Sequence, residues 1–372
     1  MTYQNHNKSL TTVSLIGLLC LTSVAAACGH SQAAPAPAAT DAVMTAIRDY
    51  GRGHGGLLSP GSDAKPDEDY DAYKERITAL LAKEDFAQLE KMGQQNRTKK
   101  GRLLGGAWKT YAFYDGMTSP GAAGEQNRTG FEQQIARVKK WVAAYPNSAT
   151  AHVALAQLYL NYAAFVRGTG VADTVSDSQW DVLNDRTAQA KATLLEASKL
   201  PEKDPGWYTA MQDIAMYEGW DKPRMRELFD QATAFEPDYY HYYRQYANYL
   251  LPQWYGEPGD VQAFAEEVAR RVPDPNGSML YFQIVSTLSC YCQEGIQALV
   301  QTSYPKLRLG YSNITQFFGA SNLTANRFAF MATTFRDQAS AREAFAAISS
   351  IEPEIWGSEQ VFDSAKQWAN LQ

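Results

Sequence analysis

From Asp69 onward apolar residues recur every three or four positions, and that one period restricts the chain to helices. Tyr70, Tyr73, Ile77, Leu80 and Leu81 make a single stripe. Phe131, Ile135, Val138, Trp141 and Val142 make another, which Pro146-Asn147-Ser148 interrupts before Ala151, Leu155, Leu158, Tyr159 and Tyr162 begin the next. Trp180, Leu183, Thr187, Ala190, Leu194 and Ala197 line a longer helix ending near Pro201. The same period predicts helices over 206–219, 223–235, 238–250, 261–272, 278–291, 322–335 and 339–351. No alternating run predicts a strand. Stripes separated by short breaks predict antiparallel helix pairs. The expected fold class is therefore all-α, a superhelical domain of helical hairpins.

Bulk properties narrow the function. At 372 residues and 45% hydrophobic content the chain can bury a sizeable core. Its formal charge of −6 disfavours nucleic acid as a partner, since that affinity rests on cations neutralising phosphates. The one basic cluster, Lys99, Lys100 and Arg102, reads as a solvated turn. Four cysteines, Cys20, Cys28, Cys290 and Cys292, are too few for a disulfide-stapled fold. Cys290-Tyr291-Cys292 reads as structural thiols or as a strained or sensing pair. No metal or other cofactor is predicted.

The first residues concern address. Lys8 precedes a short apolar run, Val13 to Ala27, and Val24-Ala25-Ala26-Ala27-Cys28-Gly29 closes it. A cysteine straight after small residues resembles the lipobox of bacterial lipoproteins. That resemblance implies a signal peptide over 1–27 and a diacylglycerol on the sulfur of Cys28. Two other readings stay open: Ala25-Ala26-Ala27 also satisfies the rule of an ordinary signal peptidase, and the run could remain as an uncleaved anchor. The expected location is the bacterial cell envelope, with the lipid anchor on the periplasmic face of the outer membrane. The Ala/Pro-rich stretch 29–40 reads as a flexible tether, followed by a short helix over 41–50 capped by Asp41. Gly51-Arg52-Gly53-His54-Gly55-Gly56 fits G-x-G-x-x-G without a preceding strand, and reads as a loop.

Two further resemblances concern organisation. Phe229-x2-Ala232-x4-Pro237 and Ala341-x3-Phe345-x2-Ile348-x4-Pro353 resemble the second helix of a tetratricopeptide repeat, with Ala325, Phe328 and Ala329 at matching first-helix positions. Small residues let paired helices approach, an aromatic fills the gap, and proline stops the helix. The prolines are not spaced by multiples of ~34 residues, so the repeats are degenerate. A second set of landmarks runs Gly105-Gly106-Ala107-Trp108, Tyr145-Pro146-Asn147-Ser148, Arg167-Gly168-Thr169-Gly170, Trp180, Gly219-Trp220 and Leu250 to Glu257. In this order they resemble the bacterial domain of unknown function 4034 family. The resemblance implies a fold and brings no activity. The expected divisions are a signal peptide (1–27), a lipidated tether with a short helix (28–64), the family-like helical domain (65–292) and a C-terminal tetratricopeptide-like pair (293–372).

No nucleophile elbow, zinc-protease motif or phosphate loop is present, and no catalytic residue is predicted. Acids gather at Asp213, Glu218, Asp221, Glu227, Asp230, Glu236 and Asp238. They read as caps and solvated faces, or alternatively as the source of an acid pair acting on an envelope polymer. Arg167 beside its glycines reads as an anion clamp or as a helix cap whose arginine stacks on an aromatic. The tyrosine-rich segment 239–255 carries one stripe of Tyr239, Tyr243, Tyr246 and Leu250, and a second with Tyr242 and Tyr249. The second stripe either fills a two-sided core or lines a groove. The candidate ligand residues are Tyr242, Tyr249, Trp254, Tyr255 and Arg167. The expected function is a membrane-tethered envelope scaffold binding a protein, peptide or glycan.

Overall fold

Short polar side chains start most of the helices. The computed structural model describes residues 37–52, 66, 68–118, 128–168, 174–290 and 292–371. Cys28, the leader, the tether before Pro37 and the Gly53-His54-Gly55-Gly56 part of the glycine loop lie outside the described residues. The first helix, α1, is Pro37–Tyr50. It begins before Asp41, so that residue sits within the helix and does not cap it. Asp69 caps α2 (Tyr70–Ala82) and Asp85 caps α3 (Phe86–Lys99), each carboxylate accepting a first-turn N–H. Next come α4 (Lys109–Thr118), α5 (Arg128–Ala144) and α6 (Ala149–Arg167), the last capped by Ser148. The helix α7 is Asp177–Ser198, and α8 (Pro205–Tyr217) starts on Asp204 with Pro205 in its first turn.

Asp221 caps α9 (Lys222–Phe235), and α10 (Tyr240–Tyr249) and α11 (Asp260–Arg271) follow. The helix α12 is Asn276–Val285, where the sequence predicts a helix running to residue 291. A 3₁₀ turn, Ser286–Leu288, ends it early. The rest are α13 (Gln293–Leu299), α14 (Tyr304–Phe318), α15 (Asn322–Thr334), α16 (Gln338–Ala346), α17 (Pro353–Trp356) and α18 (Glu359–Asn370). Among the described residues there is no strand, only an isolated bridge between Arg102 and Trp108. The fold is all-α and built from helical hairpins.

The most extensive packing joins α6 to α7, then α12 to α14, α15 to α16 and α2 to α4, so consecutive helices and helices one apart both pair. Residues 36–372 form one compact unit. Ile47 and Tyr50 of α1 and Phe345 of α16 belong to the same core cluster as Trp141 and Trp207. The predicted stripes are its substance: Tyr73, Ile77, Val138, Trp141, Leu158 and Leu194 are all buried. Each such side chain contributes at most ~1.5–3 kcal/mol of transfer free energy.

The array also closes on itself. A 3₁₀ turn, Leu104–Gly106, packs against α14 and α15, and Gly105 donates its N–H to Gly319 O at 3.2 Å. Gly105 has φ 73° and Gly106 φ 80°, conformations costly for other residues. A Cβ on Gly105 would stand 2.2 Å from Ser321 Oγ, and one on Gly106 2.9 Å from Phe318. The Gly-Gly-Ala-Trp landmark is thus the closure of the array. Trp108 adds to it, with the Arg102 guanidinium 3.3 Å above its ring and Arg102 on Asp238 at 2.8 Å.

Cys290 and Cys292 form a disulfide. The expectation of free structural thiols assumes a helix through both residues. The early stop at Val285 leaves them in a loop, with their Cα atoms 5.5 Å apart. Among the described residues no helix is long and apolar enough to cross a membrane.

Candidate functional site

Four helices each turn a polar stripe toward one cavity of about 480 Å³, and a fifth adds one arginine and one leucine. On α4 the stripe is Tyr111, Asp115 and Thr118, at i, i+4 and i+7. On α6 it is Gln157 and Asn161, and on α8 Thr209, Asp213 and Tyr217, each four residues apart. On α10 it is His241, Arg244, Gln245 and Asn248. The fifth helix, α15, adds Leu323 and Arg327, and the loop after α12 adds Ser286, Thr287 and Ser289. Glu352, Glu354 and Ile355 of the α17 region close the remaining side. The i, i+4 spacing places each set on one helical face.

The walls are rigid because the other faces of these helices are core. On α8, Trp207, Tyr208, Met211 and Ile214 are fully buried. On α10 the tyrosines hold the helix down while the polar stripe looks into the cavity. Tyr242 Oη donates to Pro205 O at 2.9 Å, Tyr243 Oη to Pro237 O at 2.7 Å and Tyr249 Oη to Trp220 O at 2.6 Å. Tyr111 stacks on His241, ring centroids 3.7 Å apart and 6° from parallel, and keeps 36% of its surface open.

Burial dominates the electrostatics. It pushes Asp213 up to about 7, although Gln245 donates to that carboxylate. His241 is held well below the ordinary histidine range, first by burial and then by the charges of Arg244, Arg102 and Arg327, so its imidazole is neutral. Its Nε2 is buried without a hydrogen-bond partner. Arg327 falls to about 9, through burial and then the Arg244 charge. Arg244 is lowered by burial as well.

The residues singled out in the sequence divide. Tyr242 and Tyr249 have no exposed surface, so they are core rather than groove. Their hydroxyls are satisfied by carbonyls of other segments, which is what lets tyrosine fill a two-sided core. Tyr255 is half-buried and donates to Met216 O at 2.8 Å. Arg167 and half-buried Trp254 come together, the guanidinium 5.1 Å from the ring centroid. Gly168 caps α6 at φ 73°, so this is a helix cap with its arginine on an aromatic. None of these five residues lines the cavity, though the Arg167 charge reaches Tyr217, which does.

The acids over 213–238 behave similarly. Glu218 pairs with Lys191, Glu227 with Arg48, Asp230 with Arg226, Glu236 with Lys100 and Asp238 with Arg102. Asp221 is a cap. Asp213 alone enters the cavity, so this stretch does not assemble a two-acid cleft there. Sequence reasoning missed His241, Arg244 and Arg327, which lie outside the acidic stretch and away from the tyrosine stripes. The available signal was the polar i, i+4 recurrence on helices that are apolar on their other faces.

Residues 74–234 match the family described as Domain of unknown function (DUF4034). No curated protein and no solved structure matches the chain. The DUF4034 match is shorter than the landmarks imply and leaves out the Leu250 to Glu257 segment. It carries one wall of the cavity, with Tyr111, Asp115, Gln157, Asn161 and Asp213. The wall bearing His241, Arg244 and Arg327 lies outside the DUF4034 span.

Proposed function

We propose that this protein is a ligand-binding scaffold of the bacterial envelope, tethered by lipid on Cys28, which takes a peptide or glycan segment into the central cavity. One observation carries the reading: polar stripes from four helices converge on a single space of about 480 Å³, within the size range of small-ligand sites. Amides at Gln157, Asn161, Gln245 and Asn248 both donate and accept hydrogen bonds, as hydroxyl-rich or amide-rich ligands require. The open face of Tyr111 offers an apolar platform among them. The test is calorimetric titration of the full chain with N-acetylglucosamine oligomers and with trialanine. Saturable binding to either is expected, and a Tyr111→Ala, Asn161→Ala double variant should lose it. Equal binding by that variant would remove the cavity from the explanation.

A second reading, hydrolysis of an envelope polymer, draws on Asp213, whose proton is held to about pH 7, in the range of a general acid. Asp115 lines the same cavity from α4. Release of new reducing ends from a glycan, abolished by Asp213→Asn, would support it.

A further inference from the structure

The arginines of this protein mostly face carboxylates. Arg97 meets Asp204, Arg102 meets Asp238 and Arg226 meets Glu267, at 2.8–3.1 Å. Arg244 and Arg327 do not. Arg244 donates Nη1 to Gln283 O at 3.0 Å and forms no ion pair. Arg327 makes no hydrogen bond and no ion pair among the described residues. Glu352, the carboxylate whose charge Arg327 feels, is bonded instead to Asn322 Nδ2 at 2.9 Å. Both guanidinium groups belong to half-buried residues and line the same cavity. Beside them lies His241, nearly wholly buried, with Nε2 unsatisfied.

Four carboxylates, Asp115, Asp213, Glu352 and Glu354, line the same cavity, yet none forms an ion pair with either guanidinium: Lys74 holds Asp115, Gln245 holds Asp213 and Asn322 holds Glu352. A planar guanidinium presents paired N–H donors matched to the two oxygens of a carboxylate or phosphate. A neutral imidazole protonated at Nε2 would add a donor that needs no proton from solvent. We infer that Arg244 and Arg327, with His241 beside them, form a seat for an oxyanion, so that the ligand of the cavity is acidic. This deepens the cavity-binding reading and rests on it. Carboxylate and phosphate share the required chemistry.

The test is calorimetric titration of the full chain at fixed ionic strength with glucose, glucuronate and glucose 6-phosphate. One or both acids should bind at least about tenfold tighter than glucose, and which one does identifies the anion. Arg244→Gln and Arg327→Gln should each erase that advantage of the acids over glucose. Thermal melts in anion-free buffer give a second readout. Arg327→Gln, which breaks no hydrogen bond, should melt at or above the wild type, because its repulsion with Arg244 has gone. Glucose bound as tightly as the acids would overturn the seat and leave the cavity reading standing. Acid preference retained in both variants, or a melting point lowered by several degrees in Arg327→Gln, would also overturn it. Binding of none of the three would overturn the seat, while the cavity reading is decided separately by its own titration with N-acetylglucosamine oligomers and trialanine.

Discussion

Arg97 Nη1 lies 3.1 Å from Asp204 Oδ2, and water reaches only 10% of one side chain and 1% of the other. The pair stands where several helices meet. Asp204 Oδ1 also accepts from Gly206 N at 2.8 Å to start α8, and Tyr114 Oη donates to Oδ2 at 2.7 Å. Arg97 holds Thr150 and Glu202 as well. Removing one member of a buried pair strands the other, which typically costs about 3–5 kcal/mol. Arg97→Met should lower the urea-derived unfolding free energy by about that amount. A loss of under ~0.5 kcal/mol, ordinary for a surface change, would show that the pair is dispensable.

Phe345 tests the C-terminal packing. Its ring sits 5.5 Å from Trp356 and 5.4 Å from Phe362, and is 3% exposed. Phe345→Ala should cost about 3–5 kcal/mol in the same assay, through lost transfer energy and the cavity left behind.

Asp213 makes stability depend on pH. Its folded pKa of about 7 exceeds the ordinary 3.8, so the fold favours the protonated form. No penalty exists below about pH 4. The penalty grows as pH rises through the interval to 7 and is constant above it. Asp115, Tyr217, Arg244 and Glu352 share the cavity and remain in the variant. Asp213→Asn should therefore gain stability relative to the wild type between pH 4 and pH 7.5, measured as the difference in melting temperature. A difference that is flat over this range would mean that Asp213 titrates normally.

Anchoring is tested at Cys28. Cys28→Ala removes the thiol that would take the lipid, and should shift the protein from the membrane pellet to the soluble fraction. Unchanged partitioning would rule out lipidation as the tether.

The helices legible in the sequence are those with one narrow apolar stripe. The predicted 223–235 and 322–335 differ by a residue at one end from Lys222–Phe235 and Asn322–Thr334. Polar caps such as Asp69, Asp85 and Asp221 explain where several begin. Phe86–Lys99, where Gln, Asn, Lys and Arg crowd out the apolar side chains, shows no such stripe. The cavity is harder to see for a different reason. Its polar residues run from Tyr111 to Glu354, and only tertiary packing brings them together. The tyrosines of α10 suggest a surface because a hydroxyl looks solvent-bound in sequence. Pro205 O and Trp220 O, which receive Tyr242 and Tyr249, belong to other segments.

The hydrogen bond from Gly105 to Gly319 joins residues more than two hundred positions apart. An open stack of hairpins can peel from either end, each unit lost at its own free energy. Here the chain between the two glycines has no loose end to peel. Opening any hairpin within it disturbs neighbours on both sides, and the ends hold one another in place. Amide protons across that span should therefore exchange together, through one shared opening event, rather than in a gradient from the edges inward.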